Sequence, residues 1–223
     1  MNQEQALSLL KETKLVAILR GIPVKQATDI ATALYDGGVR VLEFTFDHDD
    51  PDCVAHNCQR IRAVKKIFGD EMVVGCGTAL NVQEVEASVE AGGQIVISPN
   101  VDVSVIAKTK ALGAISMPGA LTPTEIVMAY NAGADIVKLF PAGTLGVPYI
   151  KAVRGPLGYI PMSAVGGVRP ETIADFLNVG VCGFGVGGEL VKKEFVRSGD
   201  MNALTSRARK FVHAIEQWEA NRS

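Results

Sequence analysis

Two ionisable residues, Lys138 and Glu43, stand inside apolar runs that have the length of buried strands. Lys138 lies within residues 136–140, and Glu43 lies within residues 41–45. Burial of an ammonium is costly and lowers the lysine pKa from its usual value of about 10.4, which favours the free amine. A free amine is a nucleophile toward ketones, and a desolvated carboxylate beside it is suited to proton transfer. The two residues therefore predict nucleophilic catalysis by Lys138, with Glu43 as general acid and base.

Two purely structural explanations compete with this interpretation. Lys138 could extend its apolar stem along the strand and keep its ammonium in solvent. Alternatively, Lys138 and Glu43 could form a buried ion pair that only satisfies both charges. The choice depends on where the surrounding elements place the two side chains, and we favour the catalytic interpretation because both lie two or three positions from the end of a strand.

The composition of the chain excludes several classes of function. The chain has 223 residues, of which 48% are hydrophobic, and a formal charge of -2. No basic run with interleaved aromatic residues occurs, so we expect neither a nucleic-acid nor a membrane partner. No apolar run reaches spanning length, and residues 1–5 lack the profile of a signal peptide, so we expect a cytoplasmic protein.

The cysteines and histidines do not predict a metal site. The four cysteines form no C-x-x-C pair, and the three histidines are widely separated; they are Cys53, Cys58, Cys76, Cys182, His48, His56 and His213. We therefore expect reduced thiols and no metal site. An imine formed on Lys138 would itself polarise the substrate, so no organic cofactor is expected either. One alternative uses His48 and His56 with the aspartates at positions 49, 50 and 52 as metal ligands.

A repeated pattern of strand, loop, helix and glycine organises the whole chain. Seven glycines each follow a helical stretch and precede an apolar strand, at intervals of 20 to 32 residues; they are Gly37, Gly69, Gly92, Gly113, Gly133, Gly155 and Gly180. Eight strands are predicted, at residues 15–19, 41–45, 72–75, 95–98, 114–117, 136–140, 161–165 and 183–186. Short, uniform repeats of this kind predict an α/β fold, a single (β/α)8 TIM barrel over residues 1–223. Residues 2–13 predict a helix that caps the bottom of the barrel, and residues 201–219 predict a terminal helix.

In such a barrel, the active site lies where strands end and the following loops begin. Among the residues at or next to those positions, the candidates for the site are Arg20, Glu43, Thr78, Pro99, Lys138, Phe140, Gly166, Gly167, Gly188 and Glu189. The glycine pairs after the seventh and eighth strands occupy positions at which many barrels bind phosphate through backbone N–H groups. Glu189, however, is expected at the start of the eighth helix, where its charge would oppose a phosphate.

Seven segments in chain order carry a resemblance to a known family. They are VLEFT (41–45), GCGTALN (75–81), ISP (97–99), MPG (117–119), VKLFPA (137–142), GGV (166–168) and VGG (186–188). Over nearly its whole length the chain resembles the 2-keto-3-deoxy-6-phosphogluconate (KDPG) and 4-hydroxy-2-oxoglutarate (KHG) aldolases, which are trimeric class I enzymes. The resemblance implies that Lys138 forms the Schiff base, Glu43 is the general acid and base, and Thr78 contacts pyruvate. It also implies that Pro99 and Phe140 wall the pocket and that the Gly166–Gly167 loop faces the distal end of the substrate.

The chain departs from the family pattern at two positions. The arginine that holds the substrate carboxylate, four residues after the catalytic glutamate, is replaced by Asp47, and a phosphate-binding serine is replaced by Glu189. Both changes add negative charge, so a phosphorylated substrate is less expected here. The pyruvate carboxylate must then be held by other groups, for which the candidates are backbone amides, Thr78 and Arg20.

The resulting prediction is a lyase that cleaves a 2-oxo-4-hydroxy acid, either 4-hydroxy-2-oxoglutarate or a 2-keto-3-deoxy sugar acid, to pyruvate and an aldehyde. Two alternatives stay open from the residues alone. A phosphate-binding barrel isomerase or epimerase would use Lys138 and Glu43 only to move protons. A noncatalytic barrel would bind a sugar acid, with Asp47 and Glu189 as signs of lost activity.

Overall fold

The computed structural model describes residues 1–222, which form one parallel sheet of nine strand segments surrounded by helices. The strands are β1 (Leu15–Leu19), β2 (Val41–Thr45), β3 (Val73–Gly77), β4 (Ile95–Ile97), β5 (Ile115–Met117), β6 (Gly119–Ala120), β7 (Val137–Leu139), β8 (Met162–Val165) and β9 (Gly183–Val186). Their order in the sheet is β5-β4-β3-β2-β1-β9-β8-β7-β6. Most of these segments are continuous apolar runs, as expected for strands covered on both faces.

The sheet closes into an eight-stranded barrel because β5 and β6 are two parts of one strand, interrupted at Pro118. β5 pairs with β4, whereas β6 pairs with β7. Across the interruption, the backbone N–H of Lys138 donates to the carbonyl of Pro118 at 2.9 Å, and that of Asp135 donates to Ser116 at 3.0 Å. Proline lacks the N–H that a regular ladder requires, which explains the break. The prediction of a (β/α)8 barrel is therefore confirmed.

The helices follow the strands and cover the outside of the barrel. They are α1 (Gln3–Thr13), α2 (Ala27–Asp36), α3 (Cys53–Phe68), α4 (Val82–Glu90), α5 (Val103–Ala111), α6 (Pro123–Asn131), α7 (Ala142–Leu157), α8 (Ile173–Asn178), α9 (Lys193–Ser198) and α10 (Met201–Ala220). Single 3-10 turns occur at Val24–Gln26, Gly69–Glu71 and Pro170–Thr172. None of the helices within residues 1–222 is long and apolar enough to cross a membrane.

Helix α1 plugs the end of the barrel at which the strands begin. Asn2 caps it, with its side chain accepting a hydrogen bond from the N–H of Gln5 at 2.9 Å. Ala6 and Leu10 are buried among apolar side chains inside the barrel; these are Val16, Val41, Val73, Ile95, Ile97, Ile115, Met117, Ile136 and Val165. The plug excludes water from the lower barrel, which leaves the opposite end for the functional site.

Two of the predicted glycine positions differ in the structure. Gly155 lies inside α7 and does not end it, because that helix continues to Leu157 and the chain then turns at Gly158. After α2, the left-handed conformation is adopted by Gly38, with φ 93°, and not by Gly37. Gly37 instead provides room, since a side chain there would overlap Ala208 on α10.

Candidate active site

All ten residues expected at the active site line one cavity of about 600 Å³ at the carboxyl ends of the strands. They are Arg20, Glu43, Thr78, Pro99, Lys138, Phe140, Gly166, Gly167, Gly188 and Glu189. They come from loops and strands that are far apart in sequence, and the parallel barrel brings them to one rim. The cavity is large enough for a small organic acid.

Lys138 projects from β7, between β6 and β8, into this cavity. Its backbone is paired with Gly119 on one side and Ser163 on the other, and the residue is only 8% exposed. Its Nζ lies 4.9 Å from the centre of the Phe140 ring. Burial lowers the pKa of Lys138, the positive charge of Arg20 lowers it further, and the carboxylate of Glu43 partly opposes the change. The amine therefore does not extend to solvent, and burial favours its nucleophilic form.

Glu43 lies on β2 and is 2% exposed. Its Oε2 is buried and has no hydrogen-bond partner. Burial raises the pKa of Glu43 to about 7, against the opposing charges of Lys138 and Arg20. Among the described residues, no direct ion pair joins Glu43 and Lys138, so the carboxylate keeps its bonding capacity for something in the cavity. The arrangement therefore does not match a buried ion pair that only satisfies both charges.

The end of β3 fits closely around Glu43. A side chain at Gly77 would overlap the carboxylate of Glu43, so only glycine leaves the space that this group occupies. The next residue, Thr78, has φ 58°, a left-handed conformation that is unfavourable for a β-branched side chain. Such strain is typical of functional sites, where the surrounding structure holds a residue in an otherwise sparsely populated conformation.

Arg20 follows β1 and brings a positive charge to the rim. Among residues 1–222 its guanidinium has no hydrogen-bond or ion-pair partner, although its field lowers the pKa of both Glu43 and Lys138. Asp47, at the position of the family arginine, does not line the cavity that contains Lys138; it lines a neighbouring pocket instead. Arg20 is therefore an unpaired cation available to an anionic ligand.

Glu189 does not lie at the start of the helix that follows β9, where it was expected. The helix after β9 begins at Lys193 and not at Glu189, because the carbonyl of Gly187 accepts hydrogen bonds from Leu190 and Val191 in a tight turn first. The Glu189 carboxylate lies 3.4 Å from Arg207 of α10, whose Nε also donates to the Glu189 carbonyl at 2.8 Å. This ion pair offsets the negative charge that was expected to oppose a phosphate.

Phe140 and the glycine loop after β8 form one wall of the cavity. Phe140 is 42% exposed, and a side chain at Gly166 would lie 3.4 Å from its ring. Gly166 and Gly167 have φ values of 90° and 73°, which glycine adopts readily. Gly143 at the start of α7 packs against both glycines and donates its N–H to the Gly166 carbonyl at 2.8 Å.

Lys193 also lines the cavity, although it was not predicted as a site residue. The sequence pattern after the eighth strand predicted a helix that starts near Glu189. In such a helix Lys193 would lie about one turn from the start, away from the rim of the cavity. Its signal in the sequence is weak, since a lysine after Lys192 and before Glu194 resembles a solvent-exposed charge run.

The metal-dependent alternative finds no support in the side-chain contacts. His48 contacts Glu84 at 2.8 Å, and His56 contacts Asp50 at 2.7 Å, so the two histidines are held apart by separate carboxylates. Within the described part of the chain, no group of three His, Cys, Asp or Glu side chains is arranged to hold a metal ion.

Comparison with known proteins places this cavity in a family. A family model described as KDPG and KHG aldolase matches residues 7–207. A probable 2-dehydro-3-deoxy-6-phosphogalactonate aldolase of Rhizobium meliloti (strain 1021) is 36% identical over 81% of this chain and 83% of its own. The KHG/KDPG aldolase of Escherichia coli (strain K12) is 33% identical over 95% and 96% of the two chains.

The solved structures agree with the sequence relatives. A structure described as native KDPGal superposes with a TM-score of 0.83 and 32% identity, over 92% of this chain and 96% of that one. The family match at residues 7–207 includes Glu43, Thr78 and Lys138. On the extent of the family match and the identity of these relatives, the chain belongs to the KDPG and KHG aldolase family, whose members are lyases.

Proposed function

We propose that this aldolase uses Lys138 as a Schiff-base nucleophile to cleave a 2-oxo-4-hydroxy acid into pyruvate and an aldehyde. The observation that carries the proposal is the buried amine of Lys138, which opens on the same cavity as the unpaired carboxylate oxygen of Glu43. The lowered pKa of Lys138 favours attack on a ketone, and the raised pKa of Glu43 lets it exchange protons near neutral pH.

The first half of the reaction joins the substrate to Lys138. The free amine attacks the C2 ketone, one proton passes from the nitrogen to the C2 oxygen, and a neutral carbinolamine forms. Glu43, in its protonated form, donates a proton to the departing hydroxyl, so that water leaves and a C2 iminium remains. Glu43 is then a carboxylate, which is the form needed for the next step.

The second half breaks the C3–C4 bond. Glu43, directly or through a water molecule, takes the proton of the C4 hydroxyl, and the C3–C4 electron pair moves toward the iminium. The aldehyde leaves, and the enamine of pyruvate remains on Lys138. Protonation at C3 and hydrolysis by one water molecule release pyruvate and restore the amine. The iminium accepts the electron pair, so this mechanism requires no metal or organic cofactor.

The remaining rim residues would bind and orient the substrate. Arg20 and Thr78 are proposed to hold the pyruvate carboxylate, and Pro99 and Phe140 to wall the pocket. The Gly166–Gly167 loop, with Gly188 and Glu189, would face the distal end. The Rhizobium meliloti relative is named for 2-dehydro-3-deoxy-6-phosphogalactonate, and the Escherichia coli relative is named for KHG and KDPG. All three compounds contain the proposed 2-oxo-4-hydroxy acid unit.

Trapping of the covalent intermediate tests the proposal. The protein is incubated with pyruvate and borohydride, and the reduced adduct is located by mass spectrometry of the peptides. We expect one pyruvate adduct on Lys138 and none in Lys138→Met, which keeps a long apolar side chain. Lys110→Met is the matched control, because Lys110 contacts Asp135 at 2.6 Å and does not line the cavity.

The outcomes of this experiment distinguish the proposal from its alternatives. No adduct in folded protein at saturating pyruvate would contradict imine chemistry and favour the isomerase or the noncatalytic barrel. An adduct at another lysine would overturn the assignment of Lys138. An adduct with Lys138 that releases no pyruvate from any 2-keto-3-deoxy acid would favour a binding role.

We also propose that the protein is a homotrimer of the cytoplasm that acts in carbohydrate metabolism. The trimer is supported by the family resemblance. Several large apolar side chains are also exposed and available for an interface, among them Val103, Met128, Tyr130 and Tyr159.

Four free thiols among the described residues are in keeping with a reducing compartment. Light scattering should give three times the chain mass of 23.6 kDa, and a mass of one or two chains would contradict the trimer.

A further inference from the structure

A second buried carboxylate, that of Glu84, lies outside the active-site cavity. Glu84 is in the first turn of α4, it is 3% exposed, and it does not line the cavity that contains Lys138. Among residues 1–222, no lysine or arginine is close enough to form an ion pair with it. Burial of a carboxylate is costly unless hydrogen bonds satisfy its oxygens, so the partners of Glu84 indicate its role.

The two oxygens of Glu84 join two loops of the active-site rim. Oε2 accepts a hydrogen bond from the N–H of Leu80 at 2.7 Å, in the loop that follows β3, two residues after Thr78. Oε1 lies 2.8 Å from Nε2 of His48, in the loop that follows β2, the strand of Glu43. An ionised carboxylate only accepts hydrogen bonds, so Nε2 of His48 is the donor. One side chain therefore ties the two loops together.

The bond to Leu80 supports the strained conformation of Thr78. A residue with a Cβ persists at φ 58° only where its surroundings hold it there. Directly after Thr78, the N–H of Ala79 donates to a carbonyl of β4 at 3.2 Å. The next bond, from Leu80 to Glu84, is the only side-chain hydrogen bond to the backbone of residues 77–80 within the described chain. Glu84 is thus the side chain that holds this loop.

The same position in α6 shows what such a glutamate does without a second loop. Glu125 is the third residue of α6, as Glu84 is of α4. It accepts hydrogen bonds from the N–H groups of Leu121 at 2.9 Å and Thr122 at 2.7 Å, which cap its own helix. Neither Leu121 nor Thr122 lines the active-site cavity. Glu84 instead uses one oxygen for His48, so its contacts go beyond those of a helix cap.

We propose that Glu84, held by His48, is a positioning residue that sets the affinity of the active site for pyruvate through Thr78. The inference rests on the proposed function, in which Thr78 binds the pyruvate carboxylate. Without the Glu84 carboxylate, the N–H of Leu80 bonds to water, and the loop can relax toward a negative φ at Thr78. The threonine then leaves its place at the cavity, whereas Lys138 on β7 does not move. Pyruvate binding weakens, but attack by Lys138 on bound pyruvate does not slow.

Trapping of the pyruvate adduct tests this role without an aldehyde. The initial rate of borohydride-trapped adduct formation on Lys138 is measured against pyruvate concentration, which gives a half-saturation value and a plateau. Glu84→Ala should raise the half-saturation value by about tenfold, the effect of losing a hydrogen bond to a charged group, and leave the plateau unchanged. Glu84→Gln keeps an oxygen that can accept from Leu80 and should recover most of the affinity.

Glu125→Ala is the matched control, because it removes a carboxylate at the same helix position from a loop outside the cavity. Loss of the cap should destabilise the protein, as it should in Glu84→Ala, but the half-saturation value should stay at that of the wild type. An equal rise in both variants, or no rise in folded Glu84→Ala, would overturn the positioning role.

A double-mutant cycle shows whether Glu84 acts through Thr78. If it does, Glu84→Ala should have almost no further effect on the half-saturation value in the Thr78→Ala protein, because the positioned side chain is already absent. Full additivity of the two effects would contradict the proposal.

His48→Ala carries the test should Glu84→Ala fail to fold. The His48 side chain is 38% exposed, and its removal leaves the bond between Leu80 and Glu84 but frees the carboxylate to move. We expect a smaller rise in half-saturation, which should disappear in the Thr78→Ala protein. No rise, or a rise that persists there, would overturn the role of Glu84 while the adduct on Lys138 still forms. Absence of the adduct in the wild type would remove the proposed function and this inference together.

Discussion

Gly77 lies against Glu43 so closely that a single methyl group at position 77 would overlap the carboxylate. The glutamate is buried between strands, its Oε2 has no hydrogen-bond partner, and its pKa is raised to about 7. The position of the carboxylate therefore depends on the shape of β3 as well as on its own rotamer. Gly77 is a positioning residue, and this role can be separated from a general contribution to stability.

Gly77→Ala should lower kcat about a hundredfold, because the added methyl displaces Glu43 from the position at which it exchanges protons. Steady-state cleavage kinetics and thermal unfolding should be measured together. Gly155→Ala is the control, since Gly155 lies inside α7 and has no atom within 4 Å of an added methyl. That variant should be active and slightly more stable. Full activity in a folded Gly77→Ala protein would contradict the positioning role.

Glu43→Gln should lower kcat by roughly two to four orders of magnitude, because an amide can neither donate nor accept the transferred proton. At saturating substrate, the wild-type kcat for cleavage should rise with pH through about 7 if removal of the C4 hydroxyl proton limits the rate, because kcat reports the bound complex and Glu43 must be a carboxylate for that step. The residual activity of Glu43→Gln should lack that rise. A rise of the same size in the variant would assign the titration to another group.

The same raised pKa has a consequence for stability. A carboxyl group with a pKa near 4.5 when unfolded and about 7 when folded binds more protons in the folded state, so stability falls as pH rises between those values. Glu43→Gln removes this penalty and should raise the melting temperature more at pH 8 than at pH 5. Differential scanning calorimetry at both values checks this. An equal change at both values would show that the pKa of Glu43 is not raised in the folded protein.

The pair Lys138 and Glu43 could be predicted from the sequence because of two independent regularities. An ionisable residue inside an apolar strand is rare enough to indicate a special environment. A parallel barrel then brings all strand ends to one rim, so two residues that are far apart along the chain meet without any local signal. The repeat of strand and helix predicted the barrel for the same reason, since each unit has its own hydrophobic pattern.

The predictions for Glu189, for the start of α9 and for Gly155 were wrong because these features depend on tertiary contacts. The partner of Glu189 is Arg207, on a helix that packs against the barrel only in the folded chain. The turn at Gly187 shifts the start of α9 to Lys193, and no propensity at those positions indicates the shift. Gly155 resembles a helix end in sequence, but the packing of α7 carries the helix past it.

Arg20→Ala should raise KM for pyruvate by roughly tenfold to a hundredfold, the loss expected for a charge-assisted hydrogen bond to a carboxylate. The positive charge of Arg20 also affects the pH dependence of the reaction. Arg20 lowers the pKa of Glu43, so its removal should move the rise in rate to higher pH. Arg62→Ala, which removes an arginine of α3 that lines neither the active-site cavity nor the neighbouring pocket, is the control. An unchanged KM for pyruvate would leave Thr78 and the backbone amides as the carboxylate ligands.

Thr78 provides a test of strain at the site. Its φ of 58° is costly for any residue with a Cβ, by about 1 to 2 kcal/mol, whereas glycine adopts it freely. Thr78→Gly should therefore be more stable than Thr78→Ala, the reverse of the usual order of these two residues in regular structure. Thermal unfolding of the two variants measures the difference.

The comparison at Thr78 is internally controlled, because both variants lose the same hydroxyl and methyl groups. Both should raise KM for pyruvate to a similar extent, while Thr78→Ser, which keeps the hydroxyl, should raise it less. At Gly155, by contrast, alanine should be more stable than glycine. If Thr78→Ala were the more stable of the pair, the left-handed conformation would store no strain.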